Sequence, residues 1–305
     1  GVKPWNNYIV ALVTTFGSGD IQKETREKYL DKLGAPDVPE DGTGIVDFLE
    51  FAEAENPFLA EELKDQYYDT NLTSQAWTRD EFPEYAKWIE VHSDRFNQLI
   101  PNSRHTSAYS PLVAKDERSV ALAAMTLVNT NHYRNACRHL LERAMLRLGE
   151  GEIDAAFSDI IACRRIAHLA GQGVTLIDAL VGISQESQAN QALVAIAHDP
   201  RLTKEQINRF QTEFSNLPNR QPVLIATHPG ERYINLDIIC SMAREGPKSL
   251  HAMLWAASGG MSKAFENLFD SMLEDDVEDG VQELQNEVID GLTPDERELR
   301  RAEQI

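Results

Sequence analysis

Almost nothing in this sequence alternates. The one β-like run is Val223–Ala226, inside an otherwise irregular connection. Helical spacing dominates everywhere else, so sheet-based folds are excluded and the expected class is all-α, built of stacked helical hairpins. Basic residues are scarce as well. The chain carries 29 Lys and Arg against 49 Asp and Glu, a formal net charge of -20. A surface this acidic repels phosphate backbones and anionic lipid, which argues against nucleic-acid and membrane-surface binding. No stretch reaches the ~18 consecutive apolar residues of a membrane span, so no transmembrane segment is expected. No signal peptide is visible.

Cysteine is rare too, with 3 in 305 residues. Cys137, Cys163 and Cys240 all sit in apolar helical context at no zinc or redox spacing, and read as buried thiols. Cys137 and Cys163 fall on adjacent helices and form the sole feasible bridge. Catalytic signatures are missing: no G-x-G-x-x-G or phosphate loop, no G-x-S-x-G, no HExxH and no helical Glu-x-x-His. His132 and His139 lie two helical turns apart, too far to share a metal without other ligands. Asp275–Asn286 imitates a calcium loop but puts Val277 and Asn286 where oxygen ligands are needed. No catalytic residue, metal or cofactor is assigned.

Helices and their punctuation fill the chain. Trp5–Phe16 sets one apolar face, ended by Gly17 and Gly19. A second helix opens at Asp20 and runs to Leu33, followed by the loop 34–44. Helices are expected at Ile45–Ala54 and Pro57–Tyr68. A longer one runs over Asp80–Ile100 with Phe82, Tyr85, Trp88, Ile89, His92, Phe96 and Leu99 as a core stripe. Pro101–Lys115 is a long connection holding Arg104, His105 and Tyr109, and reads chiefly as packing over a helix end. Asp116–Leu148 is helical, with Arg134, Arg138, Arg143 and Arg147 placed to neutralise carboxylates. Thr203 with Gln206 forms a near capping box for a helix to Leu217. Glu231–Arg244 is helical, and helical character resumes through His251–Ala257 and Met261–Leu273. The organisation is one helical domain over 1–273 and an acidic helical or mobile tail over 274–305.

Arg138–Ala197 is the organising stretch. Turns at Gly149-Glu150-Gly151 and Gly171-Gln172-Gly173 divide it into three helices. The middle one, from Ile153 to about Ala170, is apolar nearly all round and must be buried between neighbours. The third carries a polar interruption, Ser184-Gln185-Glu186-Ser187-Gln188. Part of it points back at Arg164, Arg165 and His168. The readings are a solvated turn, a satisfied polar network between helices, or a small pocket with Glu186 and His168 as proton-transfer groups. The candidate binding residues are Arg165, His168, Gln185, Glu186, His105 and Tyr109.

Ala144, Gly151, Ala156 and Cys163 fall where a tetratricopeptide hairpin uses small residues, and the stretch resembles such a hairpin. It departs from that pattern at Arg147, where the repeat prefers Tyr, and at His168, where it prefers Pro. The whole chain also resembles a set of uncharacterised all-helical proteins of planctomycete bacteria. That resemblance runs through NNYIVALVTTFG, LGAPDVP, SPLV, RAMLRLGEGEIDAAFSDIIACRRIAHLAGQGVTLIDALVGIS and ERYINLDIICSMAREG, from Asn6 to Gly246. It implies a periplasmic or cell-envelope location after loss of an N-terminal signal or anchor, and it supplies no activity or catalytic residues to carry over. Together these features point to a non-enzymatic scaffold with a protein partner. The alternative is a small-ligand binder or enzyme using a pocket near His168 and Glu186.

Overall fold

In a computed structural model, the described residues are 7–16, 23–35, 45–46, 48–55, 71–111, 128–219, 230–237, 239–240 and 243. Their helices include α1 (Tyr8–Phe16), α2 (Lys23–Leu33), α3 (Phe48–Glu55), α4 (Pro83–Val91), α5 (Ser93–Asn102), α6 (Val128–Gly149), α7 (Ile153–Ala170), α8 (Leu176–Ala197) and α9 (Lys204–Ser215). The fold is all-α. Among the described residues the only β feature is an isolated bridge between Asn7 and Ser107. These helices belong to one compact unit, Gly1–Met253. A second unit, Leu254–Ile305, lies outside the described residues, and with it the expected boundary at 273/274. The helices expected at Pro57–Tyr68, His251–Ala257 and Met261–Leu273, and the run Val223–Ala226, also lie outside them.

α7 is the centre. It packs chiefly on α6 and α8, with α5 and α9 adding smaller contacts. Ile153, Phe157, Ile160, Ile161, Ile166 and Leu169 are buried, on several sides of the helix. Full burial of each such side chain contributes about 1.5–3 kcal/mol, so this helix is held by packing more than by intrinsic propensity. Its connection to α6 is closed by Gly151, whose φ of 89° lies in the left-handed region that favours glycine. α8 opens with a capping box between Thr175 and Asp178, and α9 with the expected one between Thr203 and Gln206. α8 comes unusually close to α7 at Gly182. A Cβ there would lie 2.7 Å from the Ala167 carbonyl oxygen.

Two expectations are corrected. The single helix over Asp80–Ile100 is two helices, broken at His92 with φ -96° and ψ 8°. No proline or glycine marks the break. His92 is held there by its own ring, which accepts the Val46 N–H at 3.3 Å and bonds the Trp88 carbonyl at 2.9 Å. The aromatic stripe is core all the same: Tyr85, Trp88, Ile89, His92, Phe96 and Leu99 are buried. Cys240, expected to be buried like the other two thiols, is exposed, while Cys137 and Cys163 are buried free thiols as expected.

The connection after α5 packs as expected. Asn7 donates to the Tyr109 carbonyl at 2.7 Å and accepts the Tyr109 N–H at 2.8 Å. Gln172 accepts the Ala108 N–H at 3.1 Å and donates to the Thr106 carbonyl at 3.2 Å. The loop thereby ties the start of α1 to the turn between α7 and α8.

Candidate functional site

Three of the four arginines of α6, Arg138, Arg143 and Arg147, meet carboxylates, whereas Arg134 is exposed and reaches Asn131 instead. Arg143 donates to both oxygens of Asp159, at 3.0 and 2.6 Å, and to Asn97 at 3.0 Å. Arg147 adds a bond to Asp159 at 2.7 Å. Arg138 lies 3.8 Å from Glu142, which also faces His139 at 3.0 Å. Burial pushes the Asp159 carboxyl above its ordinary value, against the pull of the two guanidinia. Burial likewise lowers Arg143. Arg143, Asp159, His139 and Glu142 are buried, and the cluster organises the hairpin. Arg147, one of the departures from the tetratricopeptide pattern, is thus a partner of Asp159.

The polar interruption of α8 does turn toward α7. Glu186 pairs with Arg164 at 2.8 Å, and Arg164 also reaches Asn190. Gln185 is buried, and its Oε1 has no hydrogen-bond partner among the described residues. Ser184 and Ser187 are exposed. The space between Glu186 and His168 is about 20 Å³, bounded by Arg164, Ala167, Leu217 and Pro218. That admits about one water and no substrate. Burial holds His168 below its ordinary value, with the Glu186 charge opposing.

On the other side of His168 lies a larger cavity of about 270 Å³. It brings together Arg165, His168 and His105 with Arg104, Leu169 and Pro218. Three of the candidate residues therefore converge, from α7 and from the loop 103–106. Gln185 and Glu186 are not among its lining residues, nor is Tyr109. Tyr109 is exposed, and its backbone is engaged by Asn7. Arg165 pairs with Glu213 of α9 at 3.1 Å.

A roomier concavity went unnoticed in the sequence. It is an open groove of about 370 Å³ among α7, α8 and α9, lined by Phe157, Leu193, Ile196, Leu202, Ile207, Phe210 and Phe214 with few polar groups. Phe157 and Phe210 stack at its floor, centroids 3.7 Å apart and planes at 9°. Ile207 and Phe214 stand at its rim, each 39% exposed. The Arg164 guanidinium sits 4.5 Å over the Phe214 ring. A signal was present: Ile207, Phe210 and Phe214 recur at i, i+3 and i+7, one helical face.

Comparison with protein-family models, curated proteins and solved structures finds no match.

The functional reading then rests on the site geometry. Among the described residues, no three His, Cys, Asp or Glu side chains are grouped to hold a metal ion. No described helix is long and apolar enough to cross a membrane.

Proposed function

We propose that this chain is a non-enzymatic helical scaffold, of the planctomycete kind it resembles, that docks an amphipathic basic helix of a protein partner. The carrying observation is the apolar groove among α7, α8 and α9, open to solvent and rimmed by Ile207 and Phe214. Helical stacks present such grooves to partner helices, whose apolar side chains enter at i, i+3, i+4 and i+7. Aromatic walls with a stacked floor are typical of binding hot spots. The net charge of -20 favours a partner whose polar face is basic. The tetratricopeptide-like reading of α6 and α7 is supported by the burial of Ala144, Ala156 and Cys163 where the two helices approach.

The enzymatic alternative finds less support. Glu186 is engaged by Arg164, and the space it shares with His168 holds about one water. The test is an affinity capture from the native source with the wild-type chain and with Ile207→Glu and Phe214→Glu. Both residues are at the rim, so helicity and thermal midpoint should persist. The expected result is a stoichiometric partner held by the wild type, lost in both variants, and cross-linked through an amphipathic basic segment. Equal capture by the variants, or a bound metabolite in place of a partner, would overturn the reading.

A further inference from the structure

The 270 Å³ cavity shares no lining residue with the apolar groove, and it has a different chemistry. We propose that this cavity, between the loop 103–106 and the C-terminal half of α7, binds a small organic carboxylate with an apolar body. Every titratable side chain among its described lining residues is an arginine or a histidine: Arg104, His105, Arg165 and His168. In a chain of net charge -20 this is a local reversal of sign. Three of these groups are unspent. The side chains of Arg104, His105 and His168 have no hydrogen bond or ion pair among the described residues, while Arg165 gives one nitrogen to Glu213. The remaining guanidinium nitrogens of Arg104 and Arg165 bond no acceptor among the described residues, and a planar carboxylate matches the guanidinium fork.

The other walls choose the rest of the ligand. Leu169 and Pro218 close the cavity with apolar surface. A bare inorganic anion would leave that surface unused, whereas an aromatic or branched aliphatic body would cover it. Because burial holds His168 below its ordinary value, the charge that attracts the ligand comes from Arg104 and from Arg165, which keeps free nitrogens beside the one that holds Glu213. The His168 ring then offers an uncharged donor along the cavity wall.

The experiment is calorimetric titration of the full chain with sodium benzoate, benzyl alcohol and inorganic phosphate, repeated on Arg104→Ala. Arg104 is exposed, so the variant should keep the wild-type thermal midpoint. Saturable one-site binding of benzoate is expected, with benzyl alcohol at least about tenfold weaker and Arg104→Ala weakened about tenfold. Absence of saturable benzoate binding would overturn the proposal. So would equal affinity for benzyl alcohol, tighter binding of phosphate than of benzoate, or benzoate affinity unchanged in Arg104→Ala.

Discussion

Arg143 grips Asp159 with two parallel hydrogen bonds, 3.0 Å from Nε to Oδ2 and 2.6 Å from Nη2 to Oδ1, and the pair is cut off from water. It joins α6 to α7 across the Gly151 turn. The geometry is the bidentate fork that makes arginine irreplaceable by lysine. Two buried charges are costly to desolvate, and their attraction offsets that cost only while both are present. The pair therefore specifies how the hairpin closes more than it adds to total stability.

Removing one partner should be severe. Asp159→Asn leaves the Arg143 guanidinium buried without a counter-charge, and the expected loss is about 3–5 kcal/mol. Urea denaturation of wild type, Asp159→Asn, Arg143→Met and an Arg143→Met/Asp159→Leu double variant measures it. The double variant should lose far less than the sum of the two singles. Additive losses would mean the two side chains do not act as a pair.

Gly182 and Gly171 should respond in opposite directions to alanine. Alanine is the better helix former by about 1 kcal/mol. At Gly182, however, the added methyl meets the Ala167 carbonyl at 2.7 Å, and α8 must move off α7. Overpacking of that kind costs about 1–3 kcal/mol, so Gly182→Ala should be destabilising. At Gly171 the nearest atom is 3.5 Å away and φ is -67°, so Gly171→Ala should be neutral or stabilising. Thermal midpoints of the two variants decide it. A gain at Gly182 would show that the close crossing is not under constraint.

How far the sequence foretold this arrangement varies with the range of the interaction. α7 was legible because residues apolar on every side have one stable place, the centre of a stack. The start of α9 was legible because a capping box is written within four residues of sequence. The break at His92 was not, since it depends on Val46, far away in the chain, and the aromatic stripe stays in phase across it. Asp159 carried a readable signal. It is a lone carboxylate among buried positions of α7, with Arg143 and Arg147 one turn apart on the preceding helix. At the candidate site, Arg165 and His168 were recognisable as one turn of α7. That His105 joins them depends on the path of the loop 101–111, which follows from its bonds to Asn7 and Gln172. The groove's stripe on α9 could be read, but no local pattern tells that its rim is left uncovered.

His92 should make stability fall in mild acid. Its Nε2 accepts the Val46 N–H and its Nδ1 faces the Trp88 carbonyl, an arrangement that the neutral ring alone satisfies. Burial lowers its proton affinity, and the neighbouring His139 adds to that. The unfolded chain therefore takes up a proton at about 6.5, before the folded chain does. Stability is full above that pH and declines as pH falls through it toward the folded value, by at most about 1.4 kcal/mol per unit. Denaturation at pH 7.5 and 5.5 should show a drop in the wild type that is smaller in His92→Gln. An identical drop in both would assign the acid sensitivity to other groups.

Thiol labelling should separate the three cysteines into one and two. Cys137 and Cys163 are fully buried, and the Cys137 thiol points at the Cys163 carbonyl, 3.6 Å away. Burial, and then the contact with Cys163, pushes the Cys137 thiol well above its ordinary value, so it offers almost no thiolate. Cys240 is exposed. With Ellman's reagent at pH 7.5, one equivalent should therefore react quickly with the native chain, and two more should appear only on unfolding. Cys240→Ser should abolish the fast phase and leave the slow one unchanged. If unfolding without reductant released no further thiols, Cys137 and Cys163 would be bridged, and the packing of α6 against α7 would have to differ from that described.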